Sequence, residues 1–150
     1  MRLVLFEPDI PQNTGTILRL AACFNVEVDL IEPFGFIFDE RRMRRAGMDY
    51  LDHVKICKHK SWQAYKDSEP TGRLILATTR GAKRLDAMKF QADDRLMFGR
   101  ESQGVPEDVH NTADAGVLIP MQESMRSINV ALSAGIILAE GLRQTEGFPA

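Results

Sequence analysis

The feature that most constrains this chain is the alternation of short apolar runs with helical stretches. Residues 2–6, 27–31, 53–57, 73–77, 95–98 and 115–119 have strand length and read as six strands. Helices are expected between them at residues 16–25, 40–46, 61–65, 106–110 and 127–145. Strands that carry apolar residues at neighbouring positions are buried on both faces. Strands and helices in alternation then argue for an α/β fold, a mostly parallel six-stranded sheet with helices on both faces. Several punctuating residues have clear physical roles. Asn13 and Thr14 offer side-chain oxygens to free amides at a helix start, as do Asp39, Ser61 and Ser127. Gly47 suits the end of the second helix, and Pro120 stops the last strand.

A chain of 150 residues suits a single domain, residues 1–150, with a substantial core. Its apolar share of 44% and charged share of 27% belong to the soluble globular class. The opening Met1-Arg2-Leu3-Val4-Leu5-Phe6 is too short for a signal peptide and is followed at once by Glu7 and Asp9. No stretch has the apolar length of a membrane span, so a cytoplasmic protein is expected. Cys23 and Cys57 lack the spacing of a metal or disulfide site and read as buried, reduced thiols. No metal site is expected.

The net charge of −2 gives no general footprint for nucleic acid. Locally the balance differs: Arg41, Arg42, Arg44, Arg45, Lys55, Lys58 and Lys60 crowd one segment, with Asp49 and Asp52 between them. This is either an RNA-contacting patch or a solvated helix face. Two helices carry more apolar surface than one sheet can cover. Ile17, Leu18, Leu20, Ala21, Ala22, Cys23 and Phe24 crowd the first, and Val130, Ala131, Leu132, Ala134, Ile136, Ile137, Leu138 and Ala139 the last. One apolar stripe suffices against a sheet. The surplus predicts a homodimer through the first and last helices, with deep burial inside the monomer as the competing explanation.

Three motifs follow elements that end near one another in such a sheet. They are Asn13-x-Gly15-x-x-x-Arg19, Phe98-Gly99-x-Glu101-x-x-Gly104, and Ile119-Pro120-Met121 with Ser127-Ile128-Asn129-Val130-Ala131. Singly they are weak, because glycines make turns and Ser or Asn caps helices. In this order and spacing they resemble the SPOUT superfamily of RNA methyltransferases along the whole chain. Ile128 stands where leucine is commoner. Glu7-Pro8-x-Ile10-Pro11, Ile31-Glu32-Pro33-x-Gly35-Phe36 and Arg44-Arg45-Ala46-Gly47-x-Asp49-Tyr50 resemble the branch that methylates the wobble-nucleotide ribose of leucine tRNAs, on cytidine or uridine.

The resemblance implies a deep C-terminal trefoil knot over residues 73–137, a topology that is nearly absent from proteins in general. It also implies S-adenosylmethionine, bound by Ala77, Thr78, Gly99, Glu101, Ile119, Met121, Ser127 and Asn129, and a tRNA substrate. Arg41, Arg42, Arg44, Arg45, Lys58 and Lys60 would contact that RNA, with Phe34, Phe36 and Tyr50 as base-reading candidates. Arg19, Asn13 and Glu101 are the expected catalytic residues. Glu101 would bond a ribose hydroxyl or hold Arg19. Arg19 would serve as a perturbed general base or as a bidentate grip on phosphate, the second being simpler for a group that stays protonated. The alternatives are a methyltransferase of this superfamily for another tRNA or rRNA nucleotide, and a knotted RNA-binding module without catalysis. An ordinary doubly wound nucleotide-binding protein without methyl transfer would need a glycine-rich loop after the first strand, where Glu7-Pro8-Asp9-Ile10-Pro11 stands instead.

Overall fold

The computed structural model describes residues 1–45 and 48–150. Its strands are β1 (Arg2–Phe6), β2 (Glu27–Ile31), β3 (Ile56–His59), β4 (Leu74–Ala77), β5 (Lys83–Arg84), β6 (Arg95–Phe98) and β7 (Ala115–Leu118). They form one seven-stranded sheet in the order β3-β2-β1-β6-β4-β7-β5, and neighbouring strands pair in parallel. The helices are α1 (Pro11–Phe24), α2 (Glu40–Arg45), α3 (Trp62–Asp67), α4 (Glu107–Thr112) and α5 (Val130–Gln144).

Alternate residues of the buried strands feed two cores. Leu3, Leu5, Val28, Leu30, Ile75, Leu96 and Phe98 pack with Ile17, Leu18 and Ala21 of α1 and Ala134, Ile137 and Leu138 of α5. Val4, Phe6, Ile31, Leu74, Leu76 and Met97 pack on the other face with Tyr65 of α3 and Val109 of α4.

The seventh strand is β5. Lys83 and Arg84 carry no apolar pattern, and pairing with β7 alone makes them a strand. A two-residue charged strand also suits a sheet edge, where it discourages further pairing. The third strand, expected at residues 53–57, lies further along the chain, at Ile56–His59. Asp49–His53 is a 3-10 helix that buries Leu51, and β3 begins at Ile56. Helix α1 begins five residues before the expected position 16, because Pro11 occupies its first turn, where a missing N–H costs nothing. Asn13 therefore lies inside the first turn instead of capping it. The cap of α5 is Asn129 and not Ser127: Asn129 Oδ1 accepts from Ala131 N at 2.8 Å and Leu132 N at 3.3 Å. Cys23 is exposed and Cys57 half-buried, so neither is the buried thiol expected. The expected helix stop at Gly47 lies outside the described residues.

Part of the surplus apolar surface of α1 is absorbed within the chain, since Ile17, Leu18 and Ala21 are buried. On α5, Leu132 stays 62% exposed and Ile136 41%. No helix among the described residues is long and apolar enough to cross a membrane.

Candidate active site

The carboxyl ends of β4, β6 and β7 open into a cleft of about 370 Å³, the size class of small-molecule sites. Ala77, Thr78 and Thr79 leave β4 into it, Phe98 to Gly104 leave β6, and Val117 to Ile119 leave β7. Ile128, Val130 and Ile137 supply an apolar wall from the start of α5. Ligands in open α/β sheets bind beyond the carboxyl ends of the strands, and this cleft follows that rule.

A single run of hydrogen bonds joins three separate parts of the sequence at the rim. Asn129 Nδ2 donates to Asn13 Oδ1 at 2.9 Å, and Asn13 Nδ2 donates to Glu101 Oε1 at 3.3 Å. The amide of Asp9 donates to Glu101 Oε2 at 3.0 Å, while the amide of Glu101 returns a bond to Asp9 Oδ1 at 3.1 Å. Ser102 Oγ donates to the other Asp9 oxygen. Helix capping sets the direction of this run. Asn129 Oδ1 is committed to the amides of α5, so its Nδ2 must face Asn13. Asn13 then turns its own amide nitrogen to Glu101. Burial, with the Asp9 carboxyl alongside, pushes Glu101 above the ordinary carboxylate range. Contact with Glu101 and the Ser102 hydroxyl holds Asp9 below it.

The glycines of this loop serve each other. A Cβ on Gly99 would come within 2.7 Å of the Gly104 backbone, and Gly104 has φ of +64°. The loop closes through Arg100 N to Gly104 O at 3.0 Å and Gly104 N to Arg100 O at 2.8 Å. Gly99 thus makes room first for its own loop. Arg100 is pinned by Glu7 at 3.2 Å and lies over the Phe6 ring.

The cleft gathers Asn13, Ala77, Thr78, Gly99, Glu101, Ile119, Met121, Ser127 and Asn129 from distant parts of the chain. Pro120 faces away, into a groove beside the outer side of α5. Arg19 does not line the cleft. It is exposed on α1, close enough to Tyr50 for its charge to act on that phenol, and Tyr50 donates to the Gly15 carbonyl at 2.9 Å. Among the described residues no ion pair joins Arg19 to Glu101, whose oxygens are taken by Asn13 and the Asp9 amide.

Of the basic patch, Arg44 pairs with Asp52 and Glu40, and Lys58 with Glu40 at 3.3 Å. Arg41, Arg42, Arg45 and Lys60 are exposed and make no ion pair among the described residues. Sequence reasoning missed Asp9, which stands at the unassigned position of Glu7-Pro8-x-Ile10-Pro11. It also missed the wall residue Ile137, which read only as helix core, while Val130 was quoted in the third motif without a binding role.

Comparison with known proteins matches residues 1–139 to the SpoU rRNA Methylase family. The chain belongs to that family. It is therefore a methyltransferase. A tRNA (cytidine(34)-2'-O)-methyltransferase of Beijerinckia indica is 51% identical over 144 residues, spanning 95% of this SpoU methylase and 90% of the relative. The Escherichia coli K12 protein of the same name is 37% identical over 151 residues, spanning 99% and 96%. Among solved structures, one described as giving insight into 2-OH methylation of C/U34 on tRNA superposes with a TM-score of 0.87. It is 38% identical, with 95% of this chain and 94% of that one covered. A SpoU methyltransferase of Streptomyces viridochromogenes in complex with AdoMet shares the fold at a TM-score of 0.80 and 22% identity, covering 96% of this chain and 60% of its own.

Proposed function

We propose that this SpoU methylase is an S-adenosylmethionine-dependent tRNA 2′-O-methyltransferase. Its target is the wobble-nucleotide ribose, cytidine or uridine 34, of leucine tRNAs, which makes it a cytoplasmic enzyme. The names of the relatives at 51% and 37% identity support cytidine 34 of a tRNA as the target, and the sequence motifs suggest uridine and leucine tRNAs. The observation that carries the site half is the run from Asn129 through Asn13 to Glu101 and Asp9, which binds three distant motifs to one cleft.

The cleft suits the cofactor by its donor set. Ile119, Met121, Ile128, Val130 and Ile137 offer an apolar slot for a purine, and Thr78, Ser127 and Glu101 offer hydroxyl and carboxylate partners for ribose and amino-acid groups. Bound there, S-adenosylmethionine supplies a methyl group on a sulfonium, an activated leaving group that calls for no metal. The chain's own work is positioning, which can lower a barrier substantially. Asn13 and Glu101 hold the rim in register. Arg19 grips the phosphate beside the target ribose. Its distance from its own cleft fits action at the partner's cleft in a homodimer through α1 and α5, where Leu132 and Ile136 would be covered. Arg41, Arg42, Arg45 and Lys60 position the RNA by its phosphates. The family's knot over residues 73–137 belongs to the same reading.

The test is transfer of labelled methyl from S-adenosylmethionine to tRNA from a strain lacking the activity, followed by mapping of the modified nucleotide. Label on ribose 34 of leucine tRNA is expected. Label on another nucleotide would replace the substrate. Cofactor binding absent by calorimetry would overturn the site.

A further inference from the structure

The loop from β2 to α2 carries an unusual run, Pro33-Phe34-Gly35-Phe36-Ile37-Phe38. Its three rings pack on one another. Phe34 and Phe36 stack with centroids 5.7 Å apart and planes 17° apart, and Phe38 lies 5.7 Å from Phe34. Lys58 Nζ sits 4.5 Å over the Phe38 ring. The cluster leaves Ile37 outside. At 86% exposure it is the most exposed of the large apolar side chains. A packed aromatic base beneath a solvent-facing isoleucine is a rigid apolar projection, and folding alone gives no reason for it.

The projection is tied to the cleft. Gly35 N donates to the Pro8 carbonyl at 3.0 Å, and a Cβ on Gly35 would come within 2.5 Å of the Asp9 Cβ. Asp9 is the residue that exchanges hydrogen bonds with Glu101. On its other side the loop runs directly into α2, which carries Arg41, Arg42 and Arg45 exposed, while Glu40 is occupied by Lys58 and Arg44. The loop is therefore apolar at Ile37, followed by a cationic helix, and joined through Asp9 to Glu101 at the rim of the cleft.

Resting on the tRNA reading above, we propose that Ile37 wedges against an unpaired base of the RNA loop, with Phe34 and Phe36 as its rigid support and Arg41, Arg42 and Arg45 on the flanking phosphates. Single-stranded RNA loops are recognised through splayed bases met by stacking and apolar contact. Aliphatic side chains are known to unstack base steps in nucleic acids. A second copy of the chain fits worse. An isologous contact would bring the cationic surfaces of the two copies together.

The experiment uses the full chain and an RNA stem-loop carrying 2-aminopurine in its unpaired loop. Wild type should raise the probe's fluorescence by unstacking it. Ile37→Ala should bind about tenfold more weakly, in the range of a lost stacking contact. At saturation it should leave the fluorescence near the free-RNA level, with its salt dependence unchanged. Arg41→Ala with Arg45→Ala should do the reverse, flattening the salt dependence and keeping the fluorescence rise. Wild-type affinity and fluorescence in Ile37→Ala, with wild type methylating tRNA normally, would overturn this proposal alone. A change of mass by light scattering in Ile37→Ala without loss of RNA affinity would assign the surface to self-association and overturn it too. Wild type that neither binds nor methylates tRNA would remove the functional reading and this one with it.

Discussion

At the amino ends of the strands, Asp94 is wholly buried and takes Arg73 Nε at 2.8 Å, Arg73 Nη2 at 2.7 Å and the Gln91 amide at 2.8 Å. Beside it Arg2 grips Asp29 through Nε at 3.0 Å and also reaches Glu27. Arg95 donates to the Gly72 carbonyl and to the Tyr65 hydroxyl at 2.7 Å. At the carboxyl ends of the same sheet, the polar groups are mostly neutral amides and hydroxyls around an open cleft. Of the carboxyls there, Glu7 is paired with Arg100, Asp9 accepts from the Glu101 amide, and Glu101 is pushed up by burial beside Asp9. One end cancels its charges in pairs and so holds the strands in register. The other keeps bonding capacity turned toward a cavity. A buried ion pair is costly to break, whereas a half-used polar rim is available to a ligand.

The contrast predicts that the two ends fail differently. The largest effect should come from the catalytic side. Arg19→Ala should lower turnover about a thousandfold, part of the roughly 10⁵-fold or more that holding reactants in the right geometry can supply. Arg19 is exposed, so the unfolding midpoint should not move. Saturating kinetics beside a denaturant titration give both readings, and near-normal turnover would take Arg19 out of the mechanism.

The next effect belongs to the amino ends. Asp94→Ala strands Arg73 and the Gln91 amide, and should cost about 3 kcal/mol of folding stability. The protein that remains folded should turn over as wild type, because no atom of this cluster lines the cleft. Thermal unfolding measured with specific activity per folded molecule checks it. A fall in specific activity larger than the unfolded fraction would erase the distinction between the ends.

How much of each end was legible in the sequence follows from the same physics. The cleft was legible because its chemistry rests on residue types at fixed spacings: Gly99 with Gly104, Glu101 between them, and Asn129 at a helix start. The strands β1, β2, β4, β6 and β7 were legible because burial on both faces demands apolar runs. The paired charges were not. Nothing near Arg73 in sequence announces Asp94, and only the register of β4 beside β6 joins their ends. Strand β5 was hidden for a related reason, since Lys83 and Arg84 owe their conformation to β7 rather than to their own preference. The α1 start was missed by reading Pro11 as a break, although proline's fixed φ suits a first helical turn. The choice of Ser127 over Asn129 as cap shows the limit of composition: both can cap, and only the path of the chain chooses.

The smallest effect tests the direction of the hydrogen bonds along the rim. The cap of α5 orients Asn129, Asn129 orients Asn13, and Asn13 presents a donor to Glu101, which also receives the Asp9 amide. Both Glu101 oxygens must therefore accept, and only the carboxylate does so. Glu101→Gln has one accepting oxygen, so one donor of the rim is left facing another. We expect cofactor affinity to fall about tenfold at neutral pH, the loss of roughly one hydrogen bond to a charged group. In wild type, Glu101 takes up a proton as pH falls through its raised value, and kcat/KM should fall with it. That acid limb should stand above the ordinary glutamate value of about 4.3 and vanish in Glu101→Gln. Stability should run the opposite way. The folded protein holds this proton more tightly than the unfolded chain. The contribution of Glu101 to stability is thus complete below the unfolded value and lost as pH rises through the folded one. Glu101 thus carries a cost at working pH, which Asp9, held low beside it, offsets with the opposite sign. If pH-rate profiles of wild type and Glu101→Gln keep the same acid limb, the limb belongs to another group, and the polarity of the rim is not what holds the cleft in order.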